Sequence, residues 1–212
     1  MIRLHHCHQS RSMRVLWLLY ELGLDFELVV HPFGRALRDP AYLELHPAGR
    51  VPALEIDGGV IFESLGALEY LVERHPESGL GGRGIDWLNW LHFAETISQH
   101  AAALTQQHVA LYPPELRSQV VCKIEAMRLG KTYAALEARL QGRDYLLGDF
   151  SAADIGVGQA LYMAQHFAKL EPFEHVSAYY QRLIARDAFQ RALPEAGAAG
   201  LYEHDFYEIP DV

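Results

Sequence analysis

The chain has 212 residues, half of them hydrophobic and 21% charged, with a formal net charge of −9. That length suits one large domain or two small ones with real cores, and an acidic excess spread over both halves argues against a nucleic-acid partner. Two cysteines, Cys7 and Cys122, are too few for a disulfide framework, and no apolar run approaches the length of a membrane span.

Residues 2–6 read as a short strand, followed by a polar break from His8 to Ser12. Val15, Leu18, Leu19 and Leu22 then fall at i, i+3, i+4 and i+7, the stripe of a helix that Gly23 can stop. Phe26 to Val30 reads as a buried strand. A loop with proline and glycine, His31 to Pro40, and a short helical piece lead to HPAGRVPAL. Ala53–Ile56 and Val60–Phe62 flank Asp57-Gly58-Gly59, a hairpin signal. Glu63-Ser64 opens a helix with Leu65, Leu68, Leu71 and Val72 on one side. Residues 1–78 are therefore expected to form an α/β domain.

HPESGLGGRG, ending at Gly84, reads as a linker. Strand signals then vanish. Ile85, Leu88, Leu91, Ile97, Ala101 and Leu104 mark a long helix, and Pro113-Pro114 is expected to end it and open the next, which runs to about Leu140. Helical patterns return at 152–168 and 174–186. In GDFSAAD, Ser151 has the place of an N-cap and Asp154 of its N3 partner, with Phe150 and Ile155 at the staple positions, a folding device that needs no chemistry. Residues 85–212 are expected to be all-helical.

Two clusters carry chemistry-bearing residues. His5-His6-Cys7-His8 has metal-ligand types, but strand alternation puts His6 and His8 on one face and His5 and Cys7 on the other. Three or four ligands cannot converge that way, so the reading is no metal. Ser10-Arg11-Ser12 lies just before the first helix, where a hydroxyl can cap the helix or face a ligand. Cys7 lies near the end of the expected strand, ahead of the helix start. The opening MIRLHHCHQSRSMR has no stretch apolar enough for a signal peptide. With no disulfide framework, this gives the expectation of a soluble protein in the cytoplasm.

Four segments in this order, HQSRSMRVLWLLYELGL, HPAGRVPALEIDGG, FESLGALEYLVE and YLLGDFSAADI, closely resemble the glutathione S-transferase family, in its cytosolic, serine-type, bacterial-like form. The resemblance covers nearly the whole chain. It implies a thioredoxin-like α/β N-terminal domain, an all-α helical bundle as the C-terminal domain, and a homodimer. It implies glutathione as co-substrate, a hydrophobic electrophile as the second substrate, a detoxifying role, and no membrane partner.

The resemblance also assigns residues. In serine-type branches the active hydroxyl lies four residues before an arginine near the start of the first helix. Arg14 matches that arginine, so Ser10 matches the catalytic hydroxyl, with Ser12 as the reserve contact. Val51-Pro52 matches the position where a cis proline follows the residue whose backbone pairs with the ligand's cysteine unit. Glu63 and Ser64 match the holders of the γ-glutamyl end, and Arg50 is placed to meet the glycine carboxylate. Phe93, His100 and Tyr112 fall in the region of the electrophile pocket, which the C-terminal LYEHDFYEIPDV either covers or adjoins as a docked tail. The chemistry asked of Ser10 is plain. A free thiol has a pKa of about 8.5, and a hydroxyl donor beside the positive end of a helix favours the thiolate, the nucleophilic form. A non-catalytic glutathione-binding or regulatory protein of the same fold, or a glutathione-dependent isomerase, dehalogenase or peroxidase, would use the same ligand-holding residues.

Overall fold

The computed structural model describes residues 1–111, 114–198 and 200–209. It divides into two compact units: Met1–Gly82 with Ile184–Leu201, and Arg83–Leu183 with the segment beginning at Tyr202.

The first unit is built on a four-stranded mixed sheet in the order β2-β1-β3-β4, with β1 Arg3–His6, β2 Glu27–Val30, β3 Ala53–Ile56 and β4 Gly59–Ile61. β1 runs parallel to β2 and antiparallel to β3, with Leu4 opposite both Leu28 and Leu54. Asp57 and Gly58 both take positive φ, 52° and 78°, as a two-residue hairpin turn between β3 and β4 requires. The expectation of a buried strand at Phe26–Val30 is corrected. β2 is an edge strand, with Leu28 36% and Val30 45% exposed. An apolar run reads alike in the middle and at the edge of a sheet, and only the pairing order separates them.

The helices of this unit are α1 Met13–Glu21, α2 Pro40–Leu45 and α3 Ser64–Arg74. α1 is buried from Met13 through Leu19, so its sequence is apolar nearly all round. Part of that burial comes from α8, Asp187–Ala192. Trp17 meets Phe189 edge to face at 4.9 Å, and Arg186 grips Glu21 with two bonds of 2.6 and 2.8 Å. By these contacts residues 184–201 group with the first unit, whereas the sequence places all of 85–212 in the helical domain. Sequence order hides this, because the helical period of α8 does not name its partner.

The second unit contains α4 Gly84–Thr105, continued by a π turn at Gln106–Ala110, then α5 Gln119–Leu140, α6 Ala152–Ala164 and α7 Glu174–Ile184, the last residue of α7 falling in the first unit. α4 packs on α5 and on α6, which is buried along nearly its whole length. The buried face of α4 runs through Trp87, Leu91, Ala94, Ile97, Ala101 and Leu104, whereas Ile85 and Leu88 are 78% and 48% exposed. Extending the stripe back from Leu91 at helical spacing reaches Trp87, which leaves Ile85 and Leu88 off the face. α5 starts at Gln119 and not at the proline pair. Ser118 supplies the cap by accepting the Val121 N–H, while Pro114 opens a short 3-10 turn to Leu116 and Pro113 lies outside the described residues. The tail docks on its own unit: Tyr202 stacks on His166 at 4.1 Å, and the Tyr207 N–H donates to the His166 carbonyl.

Asp154 is the polar hub of this unit. It has no exposed surface, and its carboxyl group accepts from the N–H groups of Leu146 and Ser151, the Ser151 hydroxyl and the Tyr179 hydroxyl, all at 2.9–3.0 Å. Burial raises its pKa, and those four donors oppose the rise. Asp154→Ala would strand buried donors in place of a satisfied network, at about 3–5 kcal/mol. Tyr179→Phe, which removes one donor with its own acceptor still served, should lose about 1 kcal/mol. Urea unfolding of both variants checks the ratio, and equal losses would show that Asp154 is not the hub.

Candidate active site

The chemistry-bearing residues of the first unit gather at the C-terminal end of β1. After His6 the chain turns sharply: Gln9 takes φ 56°, the left-handed region that non-glycine residues rarely enter. Its side-chain Oε1 accepts the Leu201 N–H at 2.5 Å, which anchors the turn from outside. The turn folds Ser10 back toward β1, where its hydroxyl donates to the Cys7 carbonyl at 2.8 Å. The Ser10 carbonyl in turn accepts from the Met13 N–H, the first residue of α1.

Ser10 and Ser12 are hydrogen-bonded to each other, Oγ to Oγ, at 2.7 Å, and the Ser12 N–H donates to Ser10 Oγ at 3.2 Å. Ser12 has no exposed surface. Its Oγ lies 2.7 Å from His6 Nδ1 and accepts the Cys7 N–H at 3.2 Å. Three side chains, His6, Ser12 and Ser10, thus form one buried chain that ends at the opening turn of α1. Of the two serines only Ser10 keeps some exposure, 7%. His6 stays neutral, because burial, aided by His8, lowers its pKa to about 3.

Arg14 is fully buried, and its Nη1 donates to Ser64 Oγ at 3.0 Å. This bond ties the start of α1 to the start of α3, where Ser64 is the first helical residue and Glu63 the residue before it. Ser64 is buried and Glu63 exposed. A guanidinium beside a helix N-terminus adds to the positive potential there, which suits a carboxylate.

The third part is the loop before β3. The Val51–Pro52 bond is cis, and the register His5 opposite Ala53 sets it beside the end of β1. Arg50 projects into solvent, and its carbonyl accepts the Tyr42 hydroxyl at 2.6 Å. Gly49 has φ 58°, and a Cβ there would lie 2.6 Å from the Leu37 carbonyl oxygen. Glycine is required at this point both by conformation and by space.

Cys7 is a free thiol buried among Leu37, Tyr42 and Ala53, and burial pushes its pKa up to about 11. The histidines sort by face as strand alternation requires: the His6 ring meets His8 at 5.3 Å, while His5 stacks on His31 and bonds Glu55. Among the described residues no group of three His, Cys, Asp or Glu side chains is placed to hold a metal.

The residues expected near the second substrate lie in the other unit. Phe93 is half-buried and packs edge to face on Trp90 at 5.3 Å. Two turns further along α4, His100 is turned to α5, with Nδ1 2.6 Å from Glu125 Oε2, a carboxylate that Arg128 also holds. Tyr112 lies outside the described residues. Three contributors are absent from the sequence-based list: His6, weighed there only as a metal ligand; Gly49, visible inside HPAGR; and Tyr42, which carries no motif at all.

Two family models match the chain, the glutathione S-transferase N-terminal domain over residues 4–79 and the glutathione S-transferase C-terminal domain over residues 100–187. The chain is 34% identical to glutathione S-transferase 4 of Zea mays over 188 residues, covering 82% of this chain and 83% of that one. Among solved structures it is similar to a glutathione transferase from Methylococcus capsulatus strain Bath, with TM-score 0.76, 28% identity and coverage of 91% and 97% of the two chains. A sphingomonad glutathione S-transferase complexed with glutathione gives TM-score 0.74 and 28% identity over 90% and 96%. The chain belongs to the glutathione S-transferase family, and its enzyme class is glutathione transferase.

The close approach at Gly49 yields a direct test. Gly49→Ala must shift either its own loop or the Leu37 backbone and should destabilise the protein by about 1–3 kcal/mol. It should also weaken any glutathione binding that depends on this loop, because Arg50 and Val51 move with it. Thermal melts and calorimetric titration read both effects. Unchanged values of both would show that the loop is not held where the structure puts it.

Proposed function

We propose that the chain holds glutathione against the end of β1 and activates its sulfur through Ser10, for attack on an electrophilic carbon of a hydrophobic small molecule. The carrying observation is the placement of the Ser10 hydroxyl at the first turn of α1, on a turn pinned by Gln9 and backed by Ser12. In this reading the Ser10 proton leaves the Cys7 carbonyl for the ligand sulfur, and the helix end adds positive potential to the same point. Ser12, enclosed behind Ser10, supports that hydroxyl and does not reach the ligand.

The other groups recognise the rest of the tripeptide. The Val51 N–H and C=O pair with the cysteine unit as a one-residue strand addition, with Pro52 fixing the turn. Ser64 and the open N–H groups of α3 take the γ-glutamyl carboxylate, Glu63 takes the amine, and Arg50 reaches the glycine carboxylate. The helical unit provides the electrophile's pocket, with Phe93 as its aromatic wall. His100, engaged by Glu125, shapes that pocket from behind. No metal takes part. No helix of the described residues is long and apolar enough to cross a membrane, and two free cysteines suit the reducing cytoplasm.

Ser10→Ala should raise the pKa of the bound glutathione thiol and lower kcat/KM for conjugation roughly tenfold to a hundredfold at neutral pH. Titrating the thiolate absorbance of the binary complex and measuring rates over a panel of electrophiles checks both. An unchanged thiol pKa would remove Ser10 from the mechanism. Binding without turnover by the wild type over the whole panel would favour the non-catalytic reading.

Self-association belongs to the same proposal. Val120, Ile124 and Met127 form an exposed apolar stripe at i, i+4 and i+7 on α5, and Ile85 and Leu88 are exposed on α4. A homodimer would cover such surface. Sedimentation velocity should give a dimer for the wild type and a monomer for Ile124→Glu, and a monomeric wild type would refute it.

A further inference from the structure

We propose that His6 is a positioning residue for the thiolate chemistry: its Nδ1–H donates to Ser12, Ser12 donates to Ser10, and Ser10 is thereby left able only to donate to sulfur. The inference rests on the assignment of Ser10 above and goes beyond it, because it makes the end of β1 set the direction in which the Ser10 hydroxyl points.

Two short contacts link the three side chains, His6 Nδ1 to Ser12 Oγ and Ser12 Oγ to Ser10 Oγ, both 2.7 Å. A chain of two hydroxyls and a neutral imidazole can run in either direction, depending on which ring nitrogen carries the proton. Among the described residues, His6 Nε2 is buried with no hydrogen-bond partner. A proton on Nε2 would leave a buried N–H unsatisfied, the rarer and harsher defect, whereas a proton on Nδ1 leaves an unused lone pair. The Nδ1–H form therefore wins. His6 stays neutral, since burial lowers its pKa to about 3, so the chain carries hydrogen-bond polarity and no charge.

The remaining protons then have defined places. Ser12 Oγ accepts from His6 Nδ1–H and from the Cys7 N–H, which uses both its lone pairs. Its own proton goes to Ser10 Oγ at 2.7 Å in preference to the Cys7 carbonyl at 3.3 Å. Ser10 Oγ thus accepts from the Ser12 hydroxyl and the Ser12 N–H, and its proton is left to donate, to the Cys7 carbonyl here and to sulfur when glutathione arrives. The consequence is chemical discrimination. A serine free to turn holds a thiol, by accepting from S–H, almost as readily as it holds a thiolate. A serine saturated as an acceptor holds the thiolate alone, and that difference lowers the pKa of the bound thiol.

The test compares His6→Leu, Ser12→Ala, the double variant, His6→Asn and Ser10→Ala. In each, the thiol pKa of bound glutathione is read by thiolate absorbance and the dissociation constant by calorimetry at low pH, where the thiol form binds. His6→Leu and Ser12→Ala should each raise the thiol pKa by about one unit, a tenfold loss of thiolate at neutral pH, with little change in thiol-form affinity. The double variant should go no further than either single one, because both cut the same chain. His6→Asn, whose amide N–H can stand where Nδ1–H stood, should restore most of the shift. If both single variants keep the wild-type thiol pKa while Ser10→Ala raises it, the His6 chain is refuted and Ser10 stands. If Ser10→Ala also leaves it unchanged, the reading beneath fails and the inference with it. Should His6→Leu not fold, nitrogen-15 NMR of the wild-type histidines decides the direction: an Nδ1-protonated His6 supports the chain, and an Nε2-protonated one overturns it.

Discussion

Arg14 has no exposed surface, and a guanidinium in that position must be held by hydrogen bonds or it would unfold its surroundings. Its bond to Ser64 joins the first turn of α1 to the first turn of α3. Neither helix can then slide or roll without stranding a buried charge. The two helix ends most useful to an anionic ligand are tied to each other by this bond as well as by the packing of α1 on α3 and β1. The rest of the site follows from this constraint. Ser10 is placed by the turn into α1, and the Val51–Pro52 bond by the pairing of β3 with β1.

The same constraint explains how a chain of net charge −9 can receive a tripeptide with two carboxylates. The overall field repels such a ligand, so attraction has to be local. Arg14 supplies a charge that solvent cannot screen, helix N-termini supply partial charges that need no side chain, and Arg50 supplies an exposed charge at the rim. Glu63, exposed next to Ser64, breaks this pattern. An acid there is unfavourable for carboxylate binding unless the ligand also brings an amine, and glutathione brings both on the same carbon. In the proposed site, the pairing of Ser64 with Glu63 would favour an amino-acid headgroup over a simple anion.

Much of this was legible in the sequence, where local chemistry decides the outcome. Asp57-Gly58 announced its hairpin, and Ser151 and Asp154 their helix start. What stayed hidden depends on partners far away in the chain. Val29 and its neighbours look like a core strand until β2 proves to be the edge. Phe189 looks like part of the helical domain until it meets Trp17. His6 resembled a metal ligand because its residue type is loud, while its real partner, Ser12, is one hydroxyl six positions away that no periodicity singles out. Tyr42 carries no signal at all, since what it holds is a backbone carbonyl.

The cysteines complete the chemical logic. A protein that activates a bound thiol beside its own thiol risks a mixed disulfide or a wasted nucleophile. Cys7 is three residues from Ser10 and lends its carbonyl to that hydroxyl, yet its sulfur faces Leu37, Tyr42 and Ala53 on the other side of the chain. Burial pushes its thiol up to about 11, and burial raises that of Cys122 as well. Neither sulfur is a thiolate at neutral pH, so neither competes with the sulfur of a bound glutathione. Strand alternation does this work: one backbone offers Cys7 oxygen and nitrogen to the two serines, while its side chain is turned into a dry cluster where sulfur chemistry stops.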